Sequence, residues 1–171
     1  EEVRAASITA VHLPRGGMPA LGDNPLFLGC ADYRSTIASN AESSGFTFPE
    51  EMRRHADKGT ALVTDKDPGD AEIAEVVSQA AAHSCIVLGT YNGHILQGQL
   101  RLAKALAATG LPMILVALRN PYDLRNMPDH VAALAGWEYT RPLFDALWPV
   151  LNGTARPTGK LPLLTLTKAA E

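Results

Sequence analysis

The stretch P-M-I-L-V-A-L-R-N-P-Y-D-L-R-N-M-P, residues 112–128, decides how the chain is read. Met113 to Leu118 is an unbroken apolar run without a charge or a turn residue. A run that short, and apolar at both alternating positions, fits a strand buried on both faces. The chemistry then switches to Arg119-Asn120-Pro121-Tyr122-Asp123. Pro121 removes a backbone donor and biases Asn120 away from helix, so the strand must stop there. In an open parallel sheet, that carboxyl end is where ligands and partners are met.

Working outward, strands and helices alternate. Leu26–Ala31, Thr60–Thr64 and Cys85–Thr90 are further short apolar runs, and Val131–Gly136 is an alanine-rich one. Between them, Phe48 to His55 reads as a short helix, with Pro49 at its start, acids in its first turn and Gly59 beyond. Asp67 is expected to cap a helix opening at Pro68 that buries Ile73, Val76, Val77 and Ala80. Tyr91-Asn92-Gly93-His94 turns into a helix with Leu96, Leu100, Ala103 and Ala107 on its inner stripe. Thr140 is expected to cap a helix through Leu143, Leu147 and Leu151. Glu2 to His12 has a loose helical spacing at Val3, Ala6, Ile8 and Val11, and Leu13 to Pro25 is a Pro/Gly-rich connector. A loop holding a short helix is expected over Asp32 to Thr47. Leu161–Leu166 reads as a last strand, which Pro162 confines to an edge. The alternation predicts a three-layer α/β/α sandwich: a mostly parallel, doubly wound, flavodoxin-like sheet of about six strands, with a short edge strand at its C-terminal end.

The 171 residues suit one domain with a sizeable core. A net charge of −3 gives no electrostatic footprint for nucleic acid, and the longest apolar run falls far short of a membrane span. The chain opens at Glu1-Glu2-Val3, so a piece of a longer product is expected, with any export signal upstream. Cys30 and Cys85 read as buried, unpaired small hydrophobes.

Sites of familiar chemistry are thin. No glycine spacing fits a phosphate fingerprint, and Gly89, Gly93 and Gly98 read as turn and packing residues. The five histidines are scattered without metal-ligand spacing, so neither a metal nor a cofactor is expected. From Val76 to Tyr122 there is no Asp or Glu, which removes a carboxylate pair from both central strand exits. Tyr91, Asn92, His94, Arg119 and Asn120 follow those two strands and are expected to cluster at one sheet edge as a binding surface. The plain alternative is loop packing, with Arg119 paired to a local acid such as Asp123.

The C-terminal third adds a resemblance. A-L-R-N-P-Y-D-L (117–124), G-W-E-Y-T-R-P-L-F-D-A-L-W-P-V-L-N-G (136–153) and R-P-T-G-K-L-P (156–162) resemble the C-terminal domain of family 3 glycoside hydrolases. Arg156 stands where that family usually has Asn. The R-N-P-Y-D form, and T-Y-N after Gly89, are similar to the β-N-acetylhexosaminidase branch; the β-glucosidase branch usually carries an acid/base insertion at the latter place. The resemblance implies a retaining parent enzyme whose Asp nucleophile and His–Asp acid/base pair sit on loops of an upstream (β/α)8 barrel. It therefore assigns no catalytic residue here.

The expectation is an accessory domain, residues 26–171, with residues 1–25 as a linker and N-terminal helix from a missing upstream domain. Its partner would be that barrel, with an N-acetylglucosamine-containing saccharide at the shared cleft. The other readings are a free-standing sugar- or protein-binding module and a β-glucosidase relative without its acid/base. Neither the compartment, bacterial cytoplasm or cell surface, nor the oligomeric state is fixed by these residues.

Overall fold

The computed structural model describes residues 8–32 and 45–160. Within them lie strands β1 (Thr9–His12), β2 (Pro25–Cys30), β3 (Thr60–Thr64), β4 (Cys85–Thr90), β5 (Met113–Ala117) and β6 (Val131–Ala135). The helices are α1 (Phe48–Ala56), α2 (Asp70–Ala80), α3 (Gln97–Ala107) and α4 (Arg141–Leu151), and a 3-10 turn spans Pro121–Leu124. The strands form one sheet in the order β1-β6-β5-β4-β2-β3. All neighbours are parallel except β1, which runs antiparallel to β6.

β5 explains the layering. Every residue of Met113–Ala117 is buried, as a doubly covered strand requires. Ile114 and Val116 join Phe48, Met52, Phe144 and Leu147 in a core beneath α1 and α4. Met113, Leu115 and Ala117 join Val76, Ala80, Leu102 and Leu106 in a second core beneath α2 and α3. The sheet is thus the middle of three layers. β3 lies on one side of β2 and β4 on the other, so the winding reverses at the β2–β4 pair.

Two helix starts match the sequence rules. Thr47 accepts a hydrogen bond from the Glu50 amide at 3.4 Å, with Pro49 in the first turn of α1. Thr140 accepts from the Leu143 amide at 3.3 Å at the start of α4. The third start differs. α2 opens at Asp70 behind Gly69, with no side-chain cap. Asp67 reaches across instead, its Oδ1 accepting from the Gly98 amide at 2.7 Å in the first turn of α3. The capping rule found the right residue type but the wrong helix, because Asp67 lies where two helices start side by side. The inner stripe of α3 is also rotated, to Gly98, Gln99, Leu102, Ala103, Leu106 and Ala107.

The helix expected before His12 is corrected to a strand over Thr9–His12. Ile8 and Ala10 pack into one core and Val11 against the other. Over so few residues an apolar spacing fits either period. Pairing of Thr9 with Ala135 on the otherwise open edge of β6 selects the extended form. β1 supplies the sixth strand among the described residues; the strand expected at Leu161–Leu166 lies outside them, as does most of the helix-bearing loop expected over Asp32 to Thr47.

The parallel register also settles the cysteines. Pro25 pairs with Cys85, so Cys30 lies five residues further along β2. At about 3.3 Å per residue the thiols are roughly 16 Å apart, beyond the reach of any disulfide. Burial pushes the Cys30 thiol up to about 11 and the Cys85 thiol up to about 12. Both raised values add stability while the unfolded thiols, near 8.5, stay protonated; that stability is lost as pH rises past them toward the folded values. Thiol titration without reductant should count two in denaturant and none in the native protein at neutral pH. A denatured count of zero in the monomer would refute the strand order.

Candidate functional site at the carboxyl edge of the sheet

The exits of β4 and β5 are neighbours, tied by the Leu118 amide donating to the Thr90 carbonyl at 2.9 Å. Tyr91, Asn92, His94, Arg119 and Asn120 all lie in the two segments that leave from there, so the expected gathering at one edge is the observed one. Arg119 Nη1 donates to the Tyr91 hydroxyl at 3.1 Å, and its guanidinium carbon lies 5.5 Å from that ring's centroid. It is therefore held by Tyr91, not by the acid suggested by the sequence. Tyr91 is itself buried, edge-on to Tyr139 with centroids 5.3 Å apart.

Asn92 takes a left-handed φ of 57°, a conformation Asn tolerates better than most residues. Its carbonyl accepts the Ile95 amide at 3.0 Å and the Leu96 amide at 3.1 Å, closing the turn. Asn120 Oδ1 accepts the Tyr122 amide at 3.0 Å and so starts the 3-10 turn. Neither asparagine shows a role beyond shaping its own loop.

The central group is Asp123, which the sequence offered only as a local acid for Arg119. Its carboxylate is fully buried. Oδ2 accepts the Gly93 amide at 2.9 Å, and Oδ1 accepts the His94 amide at 2.7 Å. Oδ1 also lies 3.3 Å from His94 Nδ1. One carboxylate from the β5 exit thus clamps the whole β4 exit. A contact spanning thirty residues leaves no local pattern; the only hint was an acid directly after N-P-Y.

Gln99 does similar work behind the turn. Its Oε1 accepts the Tyr91 amide at 2.8 Å, while Nε2 donates to the carbonyls of Lys66 at 2.8 Å and Tyr91 at 3.0 Å. Gln99→Leu would strand one buried amide and weaken two carbonyls, a loss of about 2 kcal/mol at 1–3 kcal/mol per unsatisfied buried group. Denaturant unfolding should show the midpoint falling with an unchanged slope.

Around this frame sit two exposed apolar side chains, Ile95 at 65% and Tyr122 at 43% exposure. The Arg125 guanidinium lies over the Tyr122 ring at 4.3 Å, and the His94 ring meets it at 6.4 Å and 61°. The edge therefore offers one half-exposed imidazole beside an aromatic and an aliphatic side chain. The single carboxylate in the cluster already accepts from two amides. Among the described residues gathered here, Asp123 is the one carboxylate, whereas glycosyl transfer by carboxyl groups uses a pair.

A cavity of about 510 Å³, lined by Ala10, Leu13, Met18, Val150, Arg156 and Pro157 among others, opens near the amino ends of the strands, away from this cluster. Among the described residues no three His, Cys, Asp or Glu side chains are grouped to hold a metal ion, and no helix is long and apolar enough to cross a membrane.

No family model matches the sequence, and no curated protein does. Solved structures do. The chain is similar to part of a glycoside hydrolase family 3 β-N-acetylglucosaminidase from Paenibacillus, with a TM-score of 0.81 at 24% identity. The match covers 97% of this chain and 32% of that one. A fungal multi-domain family 3 β-N-acetylglucosaminidase matches at TM-score 0.68 and 17% identity, over 94% of this chain and 18% of that one. A Listeria innocua β-glucosidase solved with isofagomine matches at 0.72 and 14%, over 94% of this chain and 26% of that one. The chain spans a third or less of the length of each. Its fold is that of one portion of these enzymes, and the α/β architecture expected from the alternation of strands and helices is the architecture observed.

Proposed function

We propose that this chain is the C-terminal accessory domain of a family 3 glycoside hydrolase of the β-N-acetylhexosaminidase branch. The observation that carries the reading is the match of nearly the whole chain to about a third of a β-N-acetylglucosaminidase. The R-N-P-Y-D turn and the R-P-T-G-K-L-P loop support the same assignment from the sequence side.

In this reading the catalytic pair belongs to an upstream (β/α)8 barrel, and this domain packs against it with the carboxyl edge of the sheet. Ile95, Tyr122 and His94 would line the cleft left between the two domains, with Arg119 and Arg125 beside them. Ile8 sits at the same end, since the neighbouring Thr9 pairs with Ala135 at the end of β6. A preceding domain would thus be tethered close to the surface it covers. The substrate of the parent enzyme would be an N-acetylglucosaminyl saccharide, hydrolysed with retention.

Reading the coding sequence upstream of Glu1 is the direct test. An in-frame barrel is expected; a start codon immediately before Glu1 would leave a free-standing module and overturn the assignment.

A further inference from the structure

The structure places a histidine–aspartate pair where the proposed accessory role requires no chemistry. A neutral imidazole has one nitrogen that donates and one that accepts. Asp123 Oδ1, 3.3 Å from Nδ1, is a carboxylate oxygen and only accepts, so the hydrogen-bond partners assign the proton to Nδ1. Nε2 is left with its lone pair and has no partner among the described residues, while the side chain is 31% exposed. Asp123 cannot turn away, because the Gly93 and His94 amides hold both its oxygens. The ring is therefore oriented by the same carboxylate that fixes its backbone.

What lies beside Nε2 narrows the ligand. The Tyr122 ring, with the Arg125 guanidinium over it, meets the His94 ring at 61°, and the adjacent residue Ile95 is exposed. An apolar floor with one fixed acceptor suits a molecule having both a C–H face and hydroxyl donors, which describes a pyranose.

We propose that His94 is a saccharide-contacting residue of this domain, accepting a sugar hydroxyl at Nε2 against Tyr122, with Asp123 as the positioning residue that fixes the tautomer. This rests on the accessory-domain reading for the choice of sugar, but the tautomer does not.

The experiment is nitrogen-15 NMR of the purified chain, alone and titrated with N,N′-diacetylchitobiose. The neutral His94 ring should show its proton on Nδ1. Chitobiose should shift His94, Ile95 and Tyr122 with a Kd of about 1–10 mM, the weak range for a single stacking contact and one hydrogen bond. His94→Phe and Tyr122→Ala should each weaken binding about tenfold or more. Asp123→Asn should mix the tautomers and weaken binding several-fold; if it does not fold, the wild-type tautomer and the two surface variants still decide. A proton on Nε2, no shifts at about 50 mM chitobiose, five times the weakest Kd expected, or binding unchanged in His94→Phe would each overturn the proposal. A barrel upstream with no saccharide shifts would sink this inference and leave the accessory-domain reading standing.

Discussion

Asp123→Leu is expected to cost about 3–5 kcal/mol, the largest loss for any single substitution at the carboxyl edge. The substitution leaves the Gly93 and His94 amides without acceptors in a site where Asp123 is fully buried. Each unsatisfied buried donor costs about 1–3 kcal/mol, and the freed turn adds its own repacking. Native domains hold only about 5–15 kcal/mol in total, so much of the margin disappears. Asp123→Asn should cost less, because its one carbonyl oxygen still serves one amide while its NH₂ faces the other. Urea unfolding of the three proteins should rank wild type, Asn, Leu. Equal stability of Leu and wild type would show that the carboxylate does not clamp the β4 exit.

Gly98→Ala should destabilise the fold by about 2–4 kcal/mol, against its own helix propensity. In an isolated helix the change would favour folding by roughly 1 kcal/mol. Here a Cβ would stand 2.5 Å from the Pro68 carbonyl oxygen and 2.7 Å from the Pro68 nitrogen, both backbone atoms that cannot swing aside. Overpacking of this kind costs about 1–3 kcal/mol, and pushing α3 away also breaks the Asp67 cap, worth about 0.5–2 kcal/mol. Thermal unfolding should show the drop; a variant as stable as wild type would mean that α2 and α3 do not start side by side. Asp67→Ala alone should show the smaller, capping part of the loss.

Those two positions mark where the sequence was legible and where it was not. β5 could be read from six letters because burial on both faces leaves no polar position in the run. Thr140 was readable as a cap because the amide it accepts from lies three residues ahead. Gly89, Gly93 and Gly98 were read as packing residues, and each has a close neighbour where a side chain would go: Phe48, Asp123 and Pro68. Asp67 and Asp123 were not readable, because their partners lie about thirty residues away across the sheet edge. β1 was misread because pairing with β6, not its own periodicity, decides its conformation. That the five candidate residues gather at one sheet edge followed from the strand order, but which of them hold the turn and which face outward is a tertiary fact.

The proposed accessory role predicts that the chain by itself hydrolyses no glycoside. Retaining hydrolysis with carboxyl groups needs two of them about 5 Å apart. The cluster at the β4 and β5 exits brings in one, and its oxygens already accept from two backbone amides. General acid or base catalysis by a lone His94 without a nucleophile would supply only about 10²–10⁴-fold. The most direct measurement is release of chromophore from an N-acetylglucosaminide and a glucoside by the purified chain, beside a His94→Ala control. Turnover indistinguishable from buffer is expected for both proteins and both substrates. Turnover that survives repurification and falls in His94→Ala would contradict it.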